Sequence, residues 1–204
     1  MITIIDYGLG NIRAFVNLYE RLNIKTRIAK NANDLKDACK IILPGVGAFD
    51  QAITKLNQSG MRNELDKQVL MNKTPLVGIC VGMQILAKSS DEGVMPGLGW
   101  IDGVVRKLDD SKIPFKTKLP HMGWNTIKPV KNNSLLNNLD DGSRFYFLHS
   151  YYFICNNSDD IISTTEYGIN FASAINNYNI FGIQFHPEKS HSNGIRVLQN
   201  FSEL

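Results

Sequence analysis

The sequence predicts a single α/β domain over residues 1–204, with a mostly parallel central sheet flanked by helices and extended by antiparallel strands, in three layers. Two observations on segment order predict it. Short β-branched segments alternate with helical ones in the first half of the chain, and strand-like segments with few helices between them fill the second half. A third observation is size, since 204 residues with 43% hydrophobic content suit one core and are short for two.

The first half predicts strand–helix units that build a parallel sheet through right-handed crossovers. The first helix is expected to follow Asn11 as its N-cap, because apolar residues then recur from Ile12 to Leu22 at nearly a 3.6-residue period. The other predicted segments are strands at Ile2–Asp6, Ile24–Ala29, Ile41–Leu43 and Pro75–Ile79, and helices at about Ala32–Ala38, Ala48–Asn57 and Gly60–Met71.

The second half predicts mainly strands, which we expect to join the same sheet as antiparallel extensions. The polar segment Lys128–Ser143 predicts a surface loop, and a final helix is predicted at about Gly194–Phe201. The predicted strands are Gly103–Leu108, Trp124–Lys128, Arg144–Phe153, Ile161–Glu166, Phe171–Ile175 and Ile180–Phe185.

Composition argues against several classes of protein. The formal net charge is +3 with no long basic run, so no nucleic-acid partner is expected, and the apolar runs are far shorter than the roughly 20 residues of a membrane span. The N-terminus lacks the pattern of a signal peptide. Three widely spaced cysteines, Cys39, Cys80 and Cys155, make neither a disulfide framework nor a zinc knuckle. We therefore expect a cytoplasmic protein that does not contact a membrane.

The most informative segment is a predicted buried strand that runs into Gly78-Ile79-Cys80-Val81-Gly82 and then a helix. The two glycines permit a sharp strand-to-helix turn that lifts the Cys80 side chain to the carboxyl edge of the sheet. There the helix N-terminus can favour the thiolate, and the amides just after it can face a developing oxyanion. Taken alone, the pattern fits a nucleophile and a buried structural cysteine equally well.

The segment Gln184–Ser190 ends an apolar strand with a histidine, a proline and a glutamate. In extended backbone, positions i and i+2 project to the same side, so His186 and Glu188 can lie together while Pro187 restrains the chain. The carboxylate can then accept a hydrogen bond from one ring nitrogen while the other faces a thiol. Without Cys80, a surface His–Glu pair would be the simpler interpretation.

The two segments together predict a thiol-based acyl-transfer site. Both follow strands of the predicted parallel sheet, whose carboxyl edge is where open α/β folds place their sites. Cys80 would attack, His186 would exchange protons and Glu188 would orient the imidazole ring. A metal site is not expected, because the three remaining histidines lie in unrelated sequence contexts and supply no third ligand. No cofactor is expected either.

Several segments in chain order resemble one family. Gly78–Gln84 together with Gln184–Glu188 resembles the class I, triad-type glutamine amidotransferases, which implies their three-layer fold. Further segments are similar to the glutaminase subunit of imidazole glycerol phosphate synthase, namely Asp6–Asn11, Pro44–Phe49, Pro120–Asn125, Phe147–Tyr151 and Gln184–Ser190. The resemblance implies hydrolysis of glutamine to glutamate and ammonia through a thioester on the cysteine.

The resemblance also implies roles for residues around the triad. Gly45–Gly47 would form a loop opposite the nucleophile, and the amide of Val46 or Gly47 would join that of Val81 as an oxyanion donor. On pattern alone the same loop is only a strand-to-helix turn. The residues implied to bind glutamine are Gly45, Gln84, Ser150 and Tyr151.

Nothing in the chain resembles a phosphosugar barrel, so the resemblance implies a separate (β/α)₈ synthase subunit that receives the ammonia within a heterodimer. Asn11 and Trp124 lie in segments that match the family near this interface, and tryptophan is a typical anchor at interfaces. Lys189 would meet a carboxylate of the partner, although a lysine at a strand end is often only solvated. The expected products are imidazole glycerol phosphate and AICAR, in histidine biosynthesis.

Three alternatives stay open from the sequence. Gly97–Asp102 and Phe145–Phe153 resemble a paralogous branch that supplies ammonia for amination of nucleotide-linked or surface-polysaccharide sugars, and this branch has the same triad. A catalytically silent regulatory or scaffold subunit is an alternative of another class. A cysteine peptidase or other thiol hydrolase is the third.

Overall fold

The computed structural model describes residues 1–116 and 118–204, and this part of the chain contains twelve strands. In chain order they are β1 (Ile2–Ile5), β2 (Thr26–Ala29), β3 (Ile41–Gly45), β4 (Leu76–Cys80), β5 (Gly103–Lys107), β6 (His121–Thr126), β7 (Lys128–Pro129), β8 (Arg144–His149), β9 (Tyr151–Cys155), β10 (Ile161–Glu166), β11 (Asn170–Asn177) and β12 (Ile180–Ile183).

Eight of these strands form the central sheet, in the order β2-β1-β3-β4-β12-β11-β10-β7. The first five are parallel to one another, and the last three each run antiparallel to their neighbours. Strands β1, β3 and β4 are buried along their whole length, as expected of parallel strands covered on both faces. The predicted fold class, a mostly parallel sheet with antiparallel extensions, is confirmed.

Helices cover this sheet. Their bounds are α1 (Ile12–Arg21), α2 (Ala32–Leu35), α3 (Phe49–Gln58), α4 (Arg62–Asp66), α5 (Val81–Gln84) and α6 (His191–Glu203). Helix α1 packs against α6, and α3 packs against α5. Helix α4 continues into a wider π-type turn at Lys67–Met71, and short 3₁₀ turns occur at Asp110–Lys112, Ser134–Leu136, Ser158–Asp160 and Pro187–Lys189. None of the helices among the described residues is long and apolar enough to cross a membrane.

Four of the strands do not extend the central sheet, contrary to the sequence prediction. Strands β5 and β9 form one two-stranded ribbon, and β6 and β8 form another. The predicted strand Arg144–Phe153 is interrupted at Ser150, which lies between β8 and β9. Because of this break, the two halves of the apolar run pair with different partners. The alternating apolar pattern shows that each half is a strand but does not show which strand it pairs with.

Two local predictions also need correction. Asn11 occupies the N-cap position of α1, but its side chain makes no capping hydrogen bond. The segment predicted as a surface loop, Lys128–Ser143, contributes the edge strand β7 and a 3₁₀ turn in which Leu135 and Leu136 are buried. These two leucines anchor the segment to the core, so it is more than a solvated connection.

Candidate functional site

The site lies at the carboxyl edge of the central sheet, where β4 and β12 run side by side. The two strands are parallel neighbours, with Ile79 paired to Ile183. Cys80 is the last residue of β4, and His186 follows β12 by three residues. Two segments far apart in the chain therefore deliver their polar side chains to one place, as the parallel-sheet rule predicts.

Cys80 adopts a backbone conformation that L-residues rarely take, with φ +55° and ψ −113°. Such a conformation costs about 1–3 kcal/mol and persists only where the surrounding structure imposes it. The flanking glycines impose it by close packing. A Cβ on Gly78 would collide with the carbonyl oxygen of Gly82, and one on Gly82 would collide with that of Leu43. The sequence prediction attributed the sharp turn to the two flanking glycines, but the positive φ belongs to Cys80 itself.

The side chain of Cys80 is buried and has two polar neighbours. Its Sγ lies 3.8 Å from the carbonyl oxygen of Leu148, to which the thiol can donate. The Nε2 atom of Gln184 donates to the same sulfur, also at 3.8 Å. Helix α5 begins at Val81 but has only four residues. A single turn carries little of the helix dipole invoked from the sequence, so side chains and nearby amides must supply most of the local field.

His186 and Glu188 form a buried pair, with His186 Nδ1 2.9 Å from Glu188 Oε1. The two are brought together by the 3₁₀ turn Pro187–Lys189, and not by the extended backbone that the sequence predicted, because β12 already ends at Ile183. The Nε2 atom of His186 has no aligned hydrogen-bond partner. It is therefore the ring nitrogen left for proton exchange.

The environment of His186 favours the imidazolium form. Burial by itself lowers the pKa of His186, but hydrogen-bonding and charge interactions with Cys80 and Glu188 outweigh burial and raise the pKa to about 10. The ring is therefore protonated at neutral pH. A thiol and an imidazole–carboxylate pair in this arrangement can form a thiolate–imidazolium pair suited to nucleophilic chemistry.

A cavity of about 230 Å³ opens beside Cys80 and His186. Most of the residues expected at the oxyanion and substrate sites line it. They are Val46, Gly47, Val81, Gln84, Ser150 and Tyr151. Gly47 has φ +92°, a backbone conformation that glycine tolerates and that residues with a side chain rarely adopt.

Two of the expected substrate residues have structural contacts of their own. Gly45 is not part of the cavity wall. It pairs with Cys80 across β3 and β4, and a Cβ there would collide with the backbone of Gly82. The side-chain nitrogen of Gln84 donates to the carbonyl oxygen of Tyr151 at 3.0 Å and to Oε1 of Gln184 at 3.1 Å. Both amide protons of Gln84 are therefore already used.

Sequence reasoning missed two side chains at this site. Gln184 is fully buried against the sulfur, and Glu92 lines the cavity while accepting from the backbone N–H of Phe49 at 2.9 Å. Gln184 carried a detectable signal, since it is a polar residue within the apolar run before His186. Glu92 had none, because its segment shows no pattern that ties it to the sheet edge.

A buried histidine pair lies beside the cavity, which corrects the prediction that the remaining histidines are unrelated. His121 and His149 face each other across β6 and β8, with Nδ1 of His121 3.0 Å from Nε2 of His149. The Nδ1 atom of His149 donates to the Tyr151 carbonyl oxygen at 2.9 Å, and Asn125 donates to Nε2 of His121 at 3.2 Å. Burial lowers the pKa of His121 to about 4 and that of His149 to about 3, the latter with help from His121.

The residues expected at a partner interface lie on three segments. Trp124 is half-exposed and stacks in parallel on His191, with ring centroids 5.1 Å apart. Lys189 lines the cavity, and its Nζ lies 5.6 Å from the centre of the Tyr146 ring. Asn11 is exposed and follows Gly10, which packs against Pro44, next to the loop Gly45–Gly47 that the resemblance implies is the oxyanion loop.

No group of three or more His, Cys, Asp or Glu side chains in residues 1–116 and 118–204 is placed to hold a metal ion. The arrangement around Cys80 and His186 brings together protein groups that are suited to acyl transfer. A thiol, a ring with one free nitrogen and a carboxylate that orients the ring are the components such chemistry needs.

Comparisons with known proteins agree with this geometry. The family described as glutamine amidotransferase class-I matches residues 3–203. Relatives named imidazole glycerol phosphate synthase subunit HisH include one from Bdellovibrio bacteriovorus, 54% identical, and one from Leptospira interrogans, 50% identical. Each alignment covers the whole of both chains. A solved glutamine amidotransferase, 18% identical, superposes with a TM-score of 0.76 over 99% of this chain and 97% of its own, which supports the fold alone. The chain therefore belongs to the class-I glutamine amidotransferases, within the HisH family of imidazole glycerol phosphate synthase subunits.

Proposed function

We propose that this chain is the glutaminase subunit of an imidazole glycerol phosphate synthase, and that it hydrolyses glutamine to glutamate and ammonia through a thioester on Cys80. The observation that carries the proposal is the junction of β4 and β12. There a strained, buried cysteine and the His186–Glu188 pair face a single cavity. The proposed domain is the whole chain, residues 1–204.

The first half of the reaction forms the thioester. The thiolate of Cys80 attacks the side-chain amide carbon of glutamine, and the oxygen becomes an oxyanion that accepts hydrogen bonds from the amide of Val81 and from Val46 or Gly47. His186 then gives its Nε2 proton to the amide nitrogen, the C–N bond breaks, and ammonia leaves. Glu188 keeps the ring oriented and stabilises its charge through Nδ1.

The second half hydrolyses the thioester. The neutral His186 takes a proton from water, the resulting hydroxide attacks the thioester carbon, and the same amides hold the second oxyanion. The C–S bond breaks and returns the thiolate of Cys80 beside a protonated His186. Because each proton removed is returned within the cycle, the reaction consumes only glutamine and water.

The proposed substrate contacts follow from the cavity wall. Ser150 and Tyr151 lie at the break between β8 and β9 and would hold the α-amino and α-carboxylate end of glutamine. Gln84 has no free amide proton, so it would meet the substrate only through its oxygen. Gly45 acts in this scheme by letting the oxyanion loop approach the turn at Gly82.

The proposed partner is a separate (β/α)₈ synthase subunit that uses the ammonia. The relatives are named as subunits of a synthase. In this chain, exposed apolar side chains lie in the wall of the catalytic cavity, Val46 and Leu148, and on the adjoining β6–β8 ribbon, Met122 and Trp124. Such a patch is typical of a docking surface. Lys189 at the cavity wall and Asn11 beside the oxyanion loop would complete the interface, in a complex that we place in the cytoplasm.

The nucleophile is tested in the complex with the synthase subunit by Cys80→Ala. We expect glutamine-dependent synthesis to be lost while synthesis from added ammonium persists, because the ammonia-using subunit is intact. Cys155→Ala, at a half-buried free cysteine in β9, is the matched control and should retain glutamine-dependent activity. Glutaminase activity that survives Cys80→Ala would overturn the proposal.

The proposed role in histidine biosynthesis is tested by identifying the molecule that receives the ammonia. We expect the barrel protein that copurifies with this chain to yield imidazole glycerol phosphate and AICAR when glutamine is supplied. Amination of a nucleotide-linked sugar by the same complex would assign the chain to the other branch of the family and contradict the proposed role in histidine biosynthesis.

A further inference from the structure

A buried amide connects the nucleophile to the body of the protein. Gln184 has no exposed surface, and its Nε2 donates to the sulfur of Cys80 at 3.8 Å. Its Oε1 accepts from Nε2 of Gln84 at 3.1 Å. The reaction scheme above does not use Gln184, and none of the roles expected from the sequence falls on it.

The direction of this amide is determined by its neighbours. The Tyr151 carbonyl oxygen can only accept, so the group of Gln84 that faces it must be the NH₂ group. That group's second proton must then meet the oxygen of Gln184, because two NH₂ groups cannot hydrogen-bond to each other in this way. The NH₂ group of Gln184 is therefore turned toward Cys80. His149 also donates to Tyr151 O, at 2.9 Å, and holds it from another side.

The two polar neighbours of the sulfur act differently on the thiol and the thiolate. The carbonyl oxygen of Leu148 can accept from a thiol but repels a thiolate. The N–H of Gln184 can donate to either form and does so more strongly to the anion. Once Cys80 has lost its proton, the Gln184 amide acts together with the charge of His186 to hold the sulfur in position.

We infer that Gln184 is a positioning residue for the nucleophile, an N–H donor that orients the thiolate of Cys80 and is itself held by Gln84 and the Tyr151 carbonyl group. The inference rests on the proposed role of Cys80. It also gives Gln84 a task besides substrate contact, since Gln84 sets the direction of the Gln184 amide.

The test compares Gln184→Met and Gln184→Glu with wild type, all in the complex with the synthase subunit. Methionine keeps the length of the side chain without an N–H. Glutamate keeps an oxygen for Gln84 to donate to, which covers the case in which the methionine variant does not fold. We expect kcat for glutamine hydrolysis to fall about 10- to 100-fold in both, with KM changed by less than about threefold, the range expected for loss of a hydrogen bond to a charged group.

A second readout follows the thiolate without substrate. The rate of alkylation of Cys80 by iodoacetamide, followed by peptide mass spectrometry to separate it from the exposed Cys39, should fall by a similar factor. Gln68→Met is the matched control. Gln68 is a buried glutamine with side-chain hydrogen bonds to Glu64, Asn72 and Thr74, remote from the sulfur. It should lower the thermal unfolding temperature and leave both rates unchanged.

The outcomes separate the two proposals. If Cys80→Ala is inactive but both Gln184 variants keep wild-type kcat and alkylation rates, the positioning role is wrong and the proposed function stands. If Gln68→Met loses activity as much as Gln184→Met, the effect reports general destabilisation and the positioning role is again wrong. If Cys80→Ala remains active, the proposed function itself fails.

Discussion

The protein buries histidines in two places and holds them in opposite protonation states. At the sheet edge, a carboxylate 2.9 Å away and the neighbouring sulfur raise the pKa of His186 to about 10. In the β6–β8 ribbon, the ring nitrogens of His121 and His149 bond to each other, to a carbonyl oxygen and to an amide, none of them a carboxylate, and burial lowers their pKa values to about 4 and about 3. Burial favours the neutral ring in both regions, and only a nearby negative charge reverses it.

The difference in protonation state between the sheet edge and the β6–β8 ribbon matches the chemistry that each region can perform. The charged histidine at the sheet edge can donate a proton to a leaving group, as the proposed reaction requires. The neutral pair cannot do so near neutral pH, and its fixed donor and acceptor nitrogens instead link the Asn125 side of the ribbon to the Tyr151 carbonyl oxygen. In the proposed reaction, the ribbon therefore helps to position the cavity wall, and the sheet edge supplies the reactive groups.

The largest effect is expected from removing the charge beside His186. Glu188→Gln should lower kcat for glutamine hydrolysis roughly 10³-fold, because the amide neither stabilises the imidazolium nor enforces the tautomer that leaves Nε2 toward the sulfur. Steady-state kinetics of the complex measures this. The same carboxylate-to-amide change at Glu64 in α4 should have little effect on kcat, because Glu64 accepts a hydrogen bond from Gln68 and does not line the cavity. Comparable losses in the two variants would refute the special role of Glu188.

The next effect concerns the packed turn that holds Cys80. Gly82→Ala should lower the free energy of unfolding by about 2–3 kcal/mol, since the new methyl group meets the carbonyl oxygen of Leu43 and the backbone must shift. Denaturant unfolding measures this, and glutaminase activity should fall with it. Gly60→Ala, where φ is +71° but no atom lies within 4 Å, should cost about 1 kcal/mol and leave activity intact. Equal costs at the two glycines would argue against the packing explanation.

On the ribbon face, Trp124→Ala should weaken binding of the synthase subunit about 10- to 30-fold without unfolding the chain, as expected for loss of a central aromatic anchor. Isothermal titration calorimetry with the purified synthase subunit measures the Kd. Tyr178→Ala is the control, because Tyr178 is an exposed aromatic residue beside Asn179, which pairs with the start of β4 and so lies at the opposite sheet edge. An unchanged Kd in Trp124→Ala would remove this face from the interface.

The smallest expected effects concern the free energy of unfolding, which the histidines of the two regions should make depend on pH in opposite directions. The raised pKa of His186 contributes stability that is fully present below about pH 6.5 and is lost as the pH rises through about 10. The depressed values of the ribbon pair act in the other direction. The unfolded chain takes up protons first, so stability falls as the pH drops from about 6.5 toward 4.

Urea unfolding between pH 4.5 and 7 tests the acid side. His121→Phe should reduce the slope of unfolding free energy against pH by up to about 1.4 kcal/mol per pH unit, the contribution of one proton. Phenylalanine is suited to this position because the ring stacks between Phe147 and Tyr167. The variant also loses two hydrogen bonds, which lowers the free energy of unfolding itself. The slope of that free energy against pH is therefore the quantity to compare with wild type. An unchanged slope would mean that His121 does not titrate on unfolding as described.

The central sheet could be predicted from the sequence because its signals are local. Each parallel strand is a short β-branched run followed by a turn and a helix, and adjacent carboxyl ends meet by a general rule. That rule predicted that Cys80 and His186 would converge. It did not predict how the two side chains are held, because the backbone strain falls on Cys80 and the 3₁₀ turn Pro187–Lys189 replaces the expected extended backbone.

The ribbons could not be predicted in the same way. Antiparallel pairing between distant strands depends on register, and register is what places His121 opposite His149. No feature of either segment indicates the other, so the histidine pair was missed. The direction of the Gln184 amide likewise depends on two contacts from other elements, and the only signal in the sequence is a polar residue inside an apolar strand.

Covalent labelling tests the assignment of Cys80 as the nucleophile most directly. An electrophilic glutamine analogue added to the complex with the synthase subunit should attach to one residue of this chain, and peptide mass spectrometry should locate the added mass on Cys80. His186→Ala should slow the labelling, and an excess of glutamine should protect against it. Labelling elsewhere, or unlabelled Cys80 in a complex whose glutaminase activity has been abolished by the analogue, would contradict the assignment of Cys80 as the nucleophile.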